Sequence, residues 1–221
     1  MEEKHVLFIV TSAGTMAPLD RETGVWLSEF AEPYLTLAGA GLKVTVASPA
    51  GGKAPIDGRS INGASLEFLS TTPHLEQTLK LADISDTSPY DAVFLPGGHG
   101  TMFDLPGNAD LGRIIREMYE AGKIIAAVCH GPAGLVGVTL SDGSPLVRGK
   151  RLTAFTDEEE KAVQLDQHMP FLLESKLREL GADFVRAENW EDHVECDGRL
   201  ITGQNPQSAL SVAGGVLLAI G

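Results

Sequence analysis

The sequence predicts an α/β fold, a parallel sheet covered by helices on both faces. Three observations predict it. Short apolar runs alternate with amphipathic helical stretches, the runs are apolar at consecutive positions, and most are closed by glycine or proline. Strands buried on both faces read this way, whereas a half-exposed strand alternates apolar and polar. With 221 residues, the chain suits one compact domain. It carries no internal repeat, low-complexity tract or linker that would divide it.

The elements follow in order. Val6–Val10 is an apolar strand. Trp26–Gly41 reads as a helix through Trp26, Phe30, Pro33/Tyr34 and Leu37, with Gly39 and Gly41 marking its end. Lys43–Ser48 is the next strand, closed by Pro49-Ala50-Gly51-Gly52. The polar stretch 53–89 has weak periodicity and room for a short helix and an edge strand. Asp91–Leu95 is a third strand, stopped by Pro96-Gly97-Gly98. Leu111–Ala121 fits an amphipathic helix, and Ile124–Val128 a fourth strand that runs straight into Cys129-His130-Gly131-Pro132. Arg151–Phe155 reads as a fifth strand and Pro170–Leu180 as a helix with proline in its first turn. Short strands at 184–185, 194–196 and 200–202 follow, the last two flanking the turn dipeptide Asp197-Gly198. Pro206–Ile220 is a C-terminal helix rich in alanine and glycine.

Composition narrows the function. Seventeen Lys and Arg against thirty Asp and Glu give a net charge of −13, which repels nucleic acid and anionic membrane surfaces. Neither is an expected partner. Two cysteines, Cys129 and Cys196, set no disulfide framework. The opening Met1-Glu2-Glu3-Lys4-His5 lacks a basic signal-peptide start, and no apolar run approaches the ~20 residues of a membrane span. The expected compartment is the reducing cytoplasm.

The chemistry concentrates where strands end. Ile124–Val128 delivers Cys129 into a turn where a helix is expected to start within two residues. This is the layout of a nucleophile elbow, in which a strained turn lifts the nucleophile above the sheet. A helix N-terminus favours the thiolate, and His130 could pair with the thiol or carry its proton. A buried structural cysteine is the plain alternative. The run Cys-His-Gly-Pro at a strand end favours the reactive reading. Leu95-Pro-Gly-Gly-His-Gly100 also follows a strand, and the amides of Gly98 and His130 could form an oxyanion hole. Glu29 could hydrogen-bond the Cys129 sulfur or move a substrate proton. It could equally lie on a solvated face with Glu32, and spacing alone does not choose. The acids of Asp157-Glu158-Glu159-Glu160 could orient His130, although a helix N-terminus attracts such a run for its dipole alone.

Several patterns fail. The spacing from Gly143 to Lys150 is one residue too long for a P-loop, and Arg151 replaces its Ser/Thr. No Gly-x-Gly-x-x-Gly follows the first strand. No His-Glu-x-x-His or Cys-x-x-Cys marks a zinc site, so no metal is expected. His5, His74, His168, His193 and Cys196 read as surface or packing residues.

Thr23-Gly-Val-Trp-Leu-Ser-Glu29-Phe-Ala-Glu-Pro33, Ala47-Ser-Pro-Ala-Gly-Gly52, Leu95–Gly100, Ala127-Val-Cys-His-Gly-Pro132 and Ile201-Thr-Gly-Gln-Asn-Pro206 stand in one order along nearly the whole chain. In these motifs the sequence resembles the ThiJ/PfpI superfamily, whose fold is shared with class I glutamine amidotransferases. Within it, the chain is similar to the branch of the thirty-one-kilodalton heat-shock chaperone and glyoxalase III. The resemblance implies a flavodoxin-like three-layer sandwich, a single domain over 1–221 with a cap-like insertion around 53–89. It implies Cys129 as nucleophile, His130 as its neighbour, Glu29 as the buried acid on the sulfur, and the Gly98 and His130 amides as oxyanion hole. Gly97 and His99 are expected to meet substrate. For the third member of a triad it implies Asp157 first and Glu158 second.

The activity implied is glutathione-independent conversion of methylglyoxal, a small dicarbonyl, to lactate, with no cofactor, in a homodimer. A holdase chaperone or protein deglycase, a cysteine peptidase or amidase using Cys129-His130-Asp157, and a redox sensor are the competing readings.

Overall fold

A computed structural model describes residues 3–17 and 19–221; Met1, Glu2 and Pro18 lie outside the described residues. The central sheet has seven strands: β1 (His5–Ile9), β2 (Lys43–Ser48), β3 (Leu79–Lys80), β4 (Ala92–Leu95), β5 (Ile124–Val128), β6 (Val194–Asp197) and β7 (Leu200–Gly203). Their spatial order is β6-β7-β5-β4-β1-β2-β3. Every pairing is parallel except the β6–β7 hairpin at one edge.

Helices cover both faces: α1 (Leu27–Gly39), α2 (Ala109–Glu120) and α5 (Ala209–Ile220), with the shorter α3 (Asp157–Ala162) and α4 (Leu173–Glu179) near the site. Successive strand side chains point to opposite faces, so one strand feeds two cores. Leu7 and Ile9 of β1, Val93 and Leu95 of β4, and Ile125 of β5 meet Leu111, Ile114, Ile115 and Met118 of α2. Val6, Phe8, Phe94 and Ala126 meet Phe30 of α1 and Val212, Ala213 and Val216 of α5. Both sets are buried, which is why the strands read as unbroken apolar runs. This is the flavodoxin-like three-layer arrangement. Among the described residues no helix is long and apolar enough to cross a membrane.

Three sequence expectations change. The helix expected over Pro170–Leu180 spans only Leu173–Glu179, so Pro170 lies ahead of its first turn. The strand expected at Arg151–Phe155 is only Arg151–Leu152, paired with Asp183–Phe184 in a separate two-stranded sheet. Beyond it the backbone bonds to the site: Thr153 N–H donates to Thr202 Oγ1 at 2.9 Å and Phe155 N–H to Cys129 O at 2.8 Å. The residues are buried as in a strand, but by threading behind the elbow. The turn after Cys129 leads into a five-residue 3-10 helix, Gly131–Leu135, too short to supply the dipole of a long α-helix.

The stretch 53–89 contains short helices at Gly58–Ile61 and Leu66–Leu69, 3-10 turns, and β3. Its first part straps the start of α1. Val25 N–H donates to Pro55 O, Asp57 N–H to Val25 O, and Ser60 Oγ accepts the Leu27 amide at 3.0 Å.

Candidate active site

The site lies past the carboxyl ends of β4 and β5, where ligands bind in sheets of this type. Cys129 follows β5 directly with φ +60°, a left-handed conformation that a side chain adopts only under constraint. Its amide donates to Gly203 O at 2.9 Å and its carbonyl accepts from Phe155, so both ends are pinned. The turn also needs Gly131, where a Cβ would overlap Leu95 O. The strained elbow expected from the sequence is thus formed.

Glu29, on the first turn of α1, is fully buried. Its Oε2 accepts the Gly97 amide at 2.8 Å, while Oε1 has no directed hydrogen bond. Burial pushes its carboxyl up to about 8, against the lowering effect of the adjacent Cys129 thiol and the Gly97 amide. Glu29 is therefore a neutral acid at neutral pH. Since Oε2 accepts, its proton belongs on Oε1. The solvated-face alternative is excluded by this geometry.

Burial also pushes the Cys129 thiol well up, and a Glu29 carboxylate would push it further. The expected stabilisation of the thiolate by a helix N-terminus is not what the structure provides. A neutral Glu29 removes the repulsion and offers an O–H donor, and the His130 amide lowers the thiol.

His130 Nδ1 lies 3.3 Å from Cys129 Sγ. Its Nε2 lies 2.7 Å from Glu160 Oε2, and the other oxygen of Glu160 lies 2.8 Å from His99 Nε2. Burial alone would raise Glu160, but His130 and then His99 outweigh it and hold the carboxyl well below its usual range. The acid on His130 is Glu160, not Asp157 or Glu158. Asp157 opens α3 and bonds Ser175, and Glu158 pairs with Arg186 on the surface at 2.7 Å. The reason is helical phase. Thr156 and Glu159 form a capping box that fixes the start of α3, so Glu160 lies one turn in and faces the elbow. The signal Thr-x-x-Glu was present in the sequence.

Gly97 and His99 take part in the internal hydrogen bonds of the site. The Gly97 amide is committed to Glu29, and a Cβ there would come within 2.7 Å of the His130 amide nitrogen. His99 lines the cavity, but both ring nitrogens already face protein groups, Glu160 and Arg59. Gly98 has φ +104°, and a Cβ would strike the Gly24 carbonyl.

His99, His130 and Glu160 bring donor atoms within 4.8 Å of one another. That spacing alone would suit a metal. Each Nε2 is instead satisfied by the carboxylate between them, and the Arg59 guanidinium stands on the far side of His99. The donor set fits a hydrogen-bonded chain better than a cation.

A cavity of about 70 Å³ opens beside Cys129, lined by Trp26, Glu29, Arg59, Phe155, Trp190 and neighbours. Trp190, at φ +67°, stands against Phe155 with ring centres 5.6 Å apart. Its amide donates to buried Glu159, which Gln204 and Asn205 also reach. Such a volume is far below the roughly 300–1,000 Å³ of sites for larger ligands.

Residues 22–217 match the DJ-1/PfpI family. The chain belongs to this family. Among its members, the glutathione-independent glyoxalase HSP31 of Saccharomyces cerevisiae is 34% identical, with 96% of each chain covered. The crystal structure of glyoxalase III from Candida albicans superposes with a TM-score of 0.90 at 31% identity, covering 98% of this chain and 97% of that one. The Rapid Encystment Protein 24 kDa of Francisella tularensis superposes with a TM-score of 0.95 at 34% identity, covering 99% of each chain. The likeness to the ThiJ/PfpI group and to its glyoxalase III branch, expected from the motifs, is thereby established.

Proposed function

We propose that the chain is a glutathione-independent glyoxalase that converts methylglyoxal to lactate. The observation that carries this reading is a neutral, fully buried Glu29 beside Cys129 in a cavity sized for a few heavy atoms. Relatives named glyoxalase 3 and glutathione-independent glyoxalase support it.

The steps are assigned to the side chains gathered around Cys129. His130 Nδ1 takes the thiol proton, and its Nε2–H stays on Glu160, which offsets the imidazolium charge. Cys129 Sγ bonds to the aldehyde carbon of methylglyoxal while the Glu29 O–H protonates the aldehyde oxygen, giving a hemithioacetal. Glu29, now a carboxylate, removes the hydrogen on that carbon while the His130 imidazolium protonates the ketone oxygen, giving an enediol; Glu29 then returns its proton to the neighbouring carbon as the first carbon's hydroxyl gives its proton back to His130. The result is a lactoyl thioester. Water attacks the thioester, the C–S bond breaks, and lactate leaves with the thiol restored. A carboxyl with a pKa near neutrality serves as both acid and base in such a sequence. The Gly98 and His130 amides hold the developing oxyanion. The overall change is an internal redox shuffle of the substrate plus one water.

The peptidase reading calls for an open cleft around the nucleophile, whereas Cys129 is buried beside a cavity of about 70 Å³. Lactate formation from methylglyoxal without glutathione tests the proposal. Wild type is expected to turn over and Cys129→Ala to be inactive. An inactive wild type whose thiol still alkylates readily would mean the substrate is wrong.

A further inference from the structure

The steps above use Cys129, Glu29, His130 and Glu160. They leave His99, and Arg59 beyond it, without a role. Glu160 divides its carboxylate between two imidazoles, with Oε2 on His130 and Oε1 on His99. The other nitrogen of His99, Nδ1, lies 3.4 Å from Arg59 Nη2. A guanidinium can only donate. Nδ1 is therefore an acceptor, and the ring proton of His99 sits on Nε2, aimed at Glu160.

Arg59 is itself fixed. Its Nε and Nη2 donate to the two oxygens of buried Asp57 at 2.9 and 2.6 Å. Asp57 also accepts the Arg59 amide at 3.0 Å and the Thr23 hydroxyl at 3.3 Å. The guanidinium lies 5.6 Å from the centre of the Trp26 ring. The strap at 54–61 thus delivers one rigid cation to the far end of the chain that begins at Cys129.

We propose that Arg59 is a positioning residue that fixes His99 as its Nε2–H tautomer, so that His99 holds Glu160 ionised and oriented for His130. This rests on the reading of Cys129 and His130 as the reacting pair. Without Arg59, Nδ1 is free to take a proton. An Nδ1–H tautomer would turn a lone pair on the Glu160 oxygen, and an imidazolium would draw the carboxylate away from His130. Either change weakens the counter-charge of His130 and disfavours the thiolate–imidazolium pair. The charged or titratable groups facing His99 are Glu160, His130, Arg59 and Asp57, and those facing Cys129 are Glu29, Glu159 and His130. Arg59→Met removes one of them.

The test is the pH profile of Cys129 alkylation by iodoacetamide, in a Cys196→Ser background, together with ring-nitrogen NMR of His99. Wild type should show His99 protonated on Nε2. Arg59→Met should alkylate about tenfold more slowly at neutral pH, its inflection moved up by about one unit. Arg59→Lys keeps a donor cation and should lie closer to wild type. A folded Arg59→Met protein whose profile superimposes on wild type overturns the proposal. So does a wild-type His99 carrying its proton on Nδ1, a result that needs no variant to fold. Neither readout uses methylglyoxal, so a wrong substrate assignment would leave both intact.

Discussion

Glu160 Oε2 accepts from His130 Nε2 at 2.7 Å, and the same carboxylate reaches His99 on its other oxygen. One buried acid therefore fixes two imidazoles. Glu160→Gln should lower lactate formation by about 10²–10⁴, the usual scale for a positioned acid–base partner. Asp157→Asn and Glu158→Gln should stay within a few-fold of wild type, since an exposed pair such as Glu158–Arg186 is worth about 0–1 kcal/mol. Steady-state kinetics on the three variants decides between Glu160 and the two acids that the linear sequence favoured.

The sheet and its helices were legible because burial on both faces leaves an unbroken apolar run, as in Ile124–Val128. Cys129 was legible because the run stops there on a nucleophile. Glu160 was obscured because four successive acids look alike until the Thr156 cap fixes the phase of the helix. The stretch 153–155 read as strand because it is buried, although its amides bond to Thr202 Oγ1 and Cys129 O instead of a ladder. Arg59 and Asp57 were invisible for another reason. They sit in a polar segment with weak periodicity, and only the strap onto Val25 and Leu27 carries them to the site.

The raised pKa of Glu29 has a stability consequence with a definite sign. Between the ordinary 4.5 and about 8, the folded protein holds a proton that the unfolded chain has released, so stability falls as pH rises through that window. At about 1.4 kcal/mol per unit, the full cost is on the order of 5 kcal/mol. Glu29→Gln carries no such cost. Urea denaturation should show the variant gaining on wild type by a few kcal/mol between pH 5 and pH 8, over the window set by Glu29. A constant difference would mean that Glu29 titrates normally.

The backbone around the elbow leaves no space for side chains. Gly131→Ala would drive a Cβ into Leu95 O, and Gly98→Ala would drive one into the Gly24 carbonyl from a left-handed backbone. Each should cost about 3 kcal/mol or more, or prevent folding. Gly112→Ala, where nothing lies within 4 Å of the new methyl, should be neutral or slightly stabilising. Thermal melts of the three variants check the contrast.

Trp190 and Phe155 line the cavity with their ring centres 5.6 Å apart, and Trp190 is the more exposed of the two. Trp190→Ala should admit a bulkier dicarbonyl. The ratio of kcat/KM for phenylglyoxal over methylglyoxal should rise about tenfold, the scale expected when a wall residue is removed from an apolar pocket. An unchanged ratio would place the substrate elsewhere.

The central claim is that Glu29 moves a proton between two substrate carbons after Cys129 has added to the aldehyde. Glu29→Gln tests it most directly, because the amide oxygen can still accept the Gly97 N–H while the side chain can no longer titrate. Lactate formation from methylglyoxal should be abolished in this variant while Cys129 still reacts with the aldehyde and with iodoacetamide. Lactate produced at the wild-type rate would contradict the account.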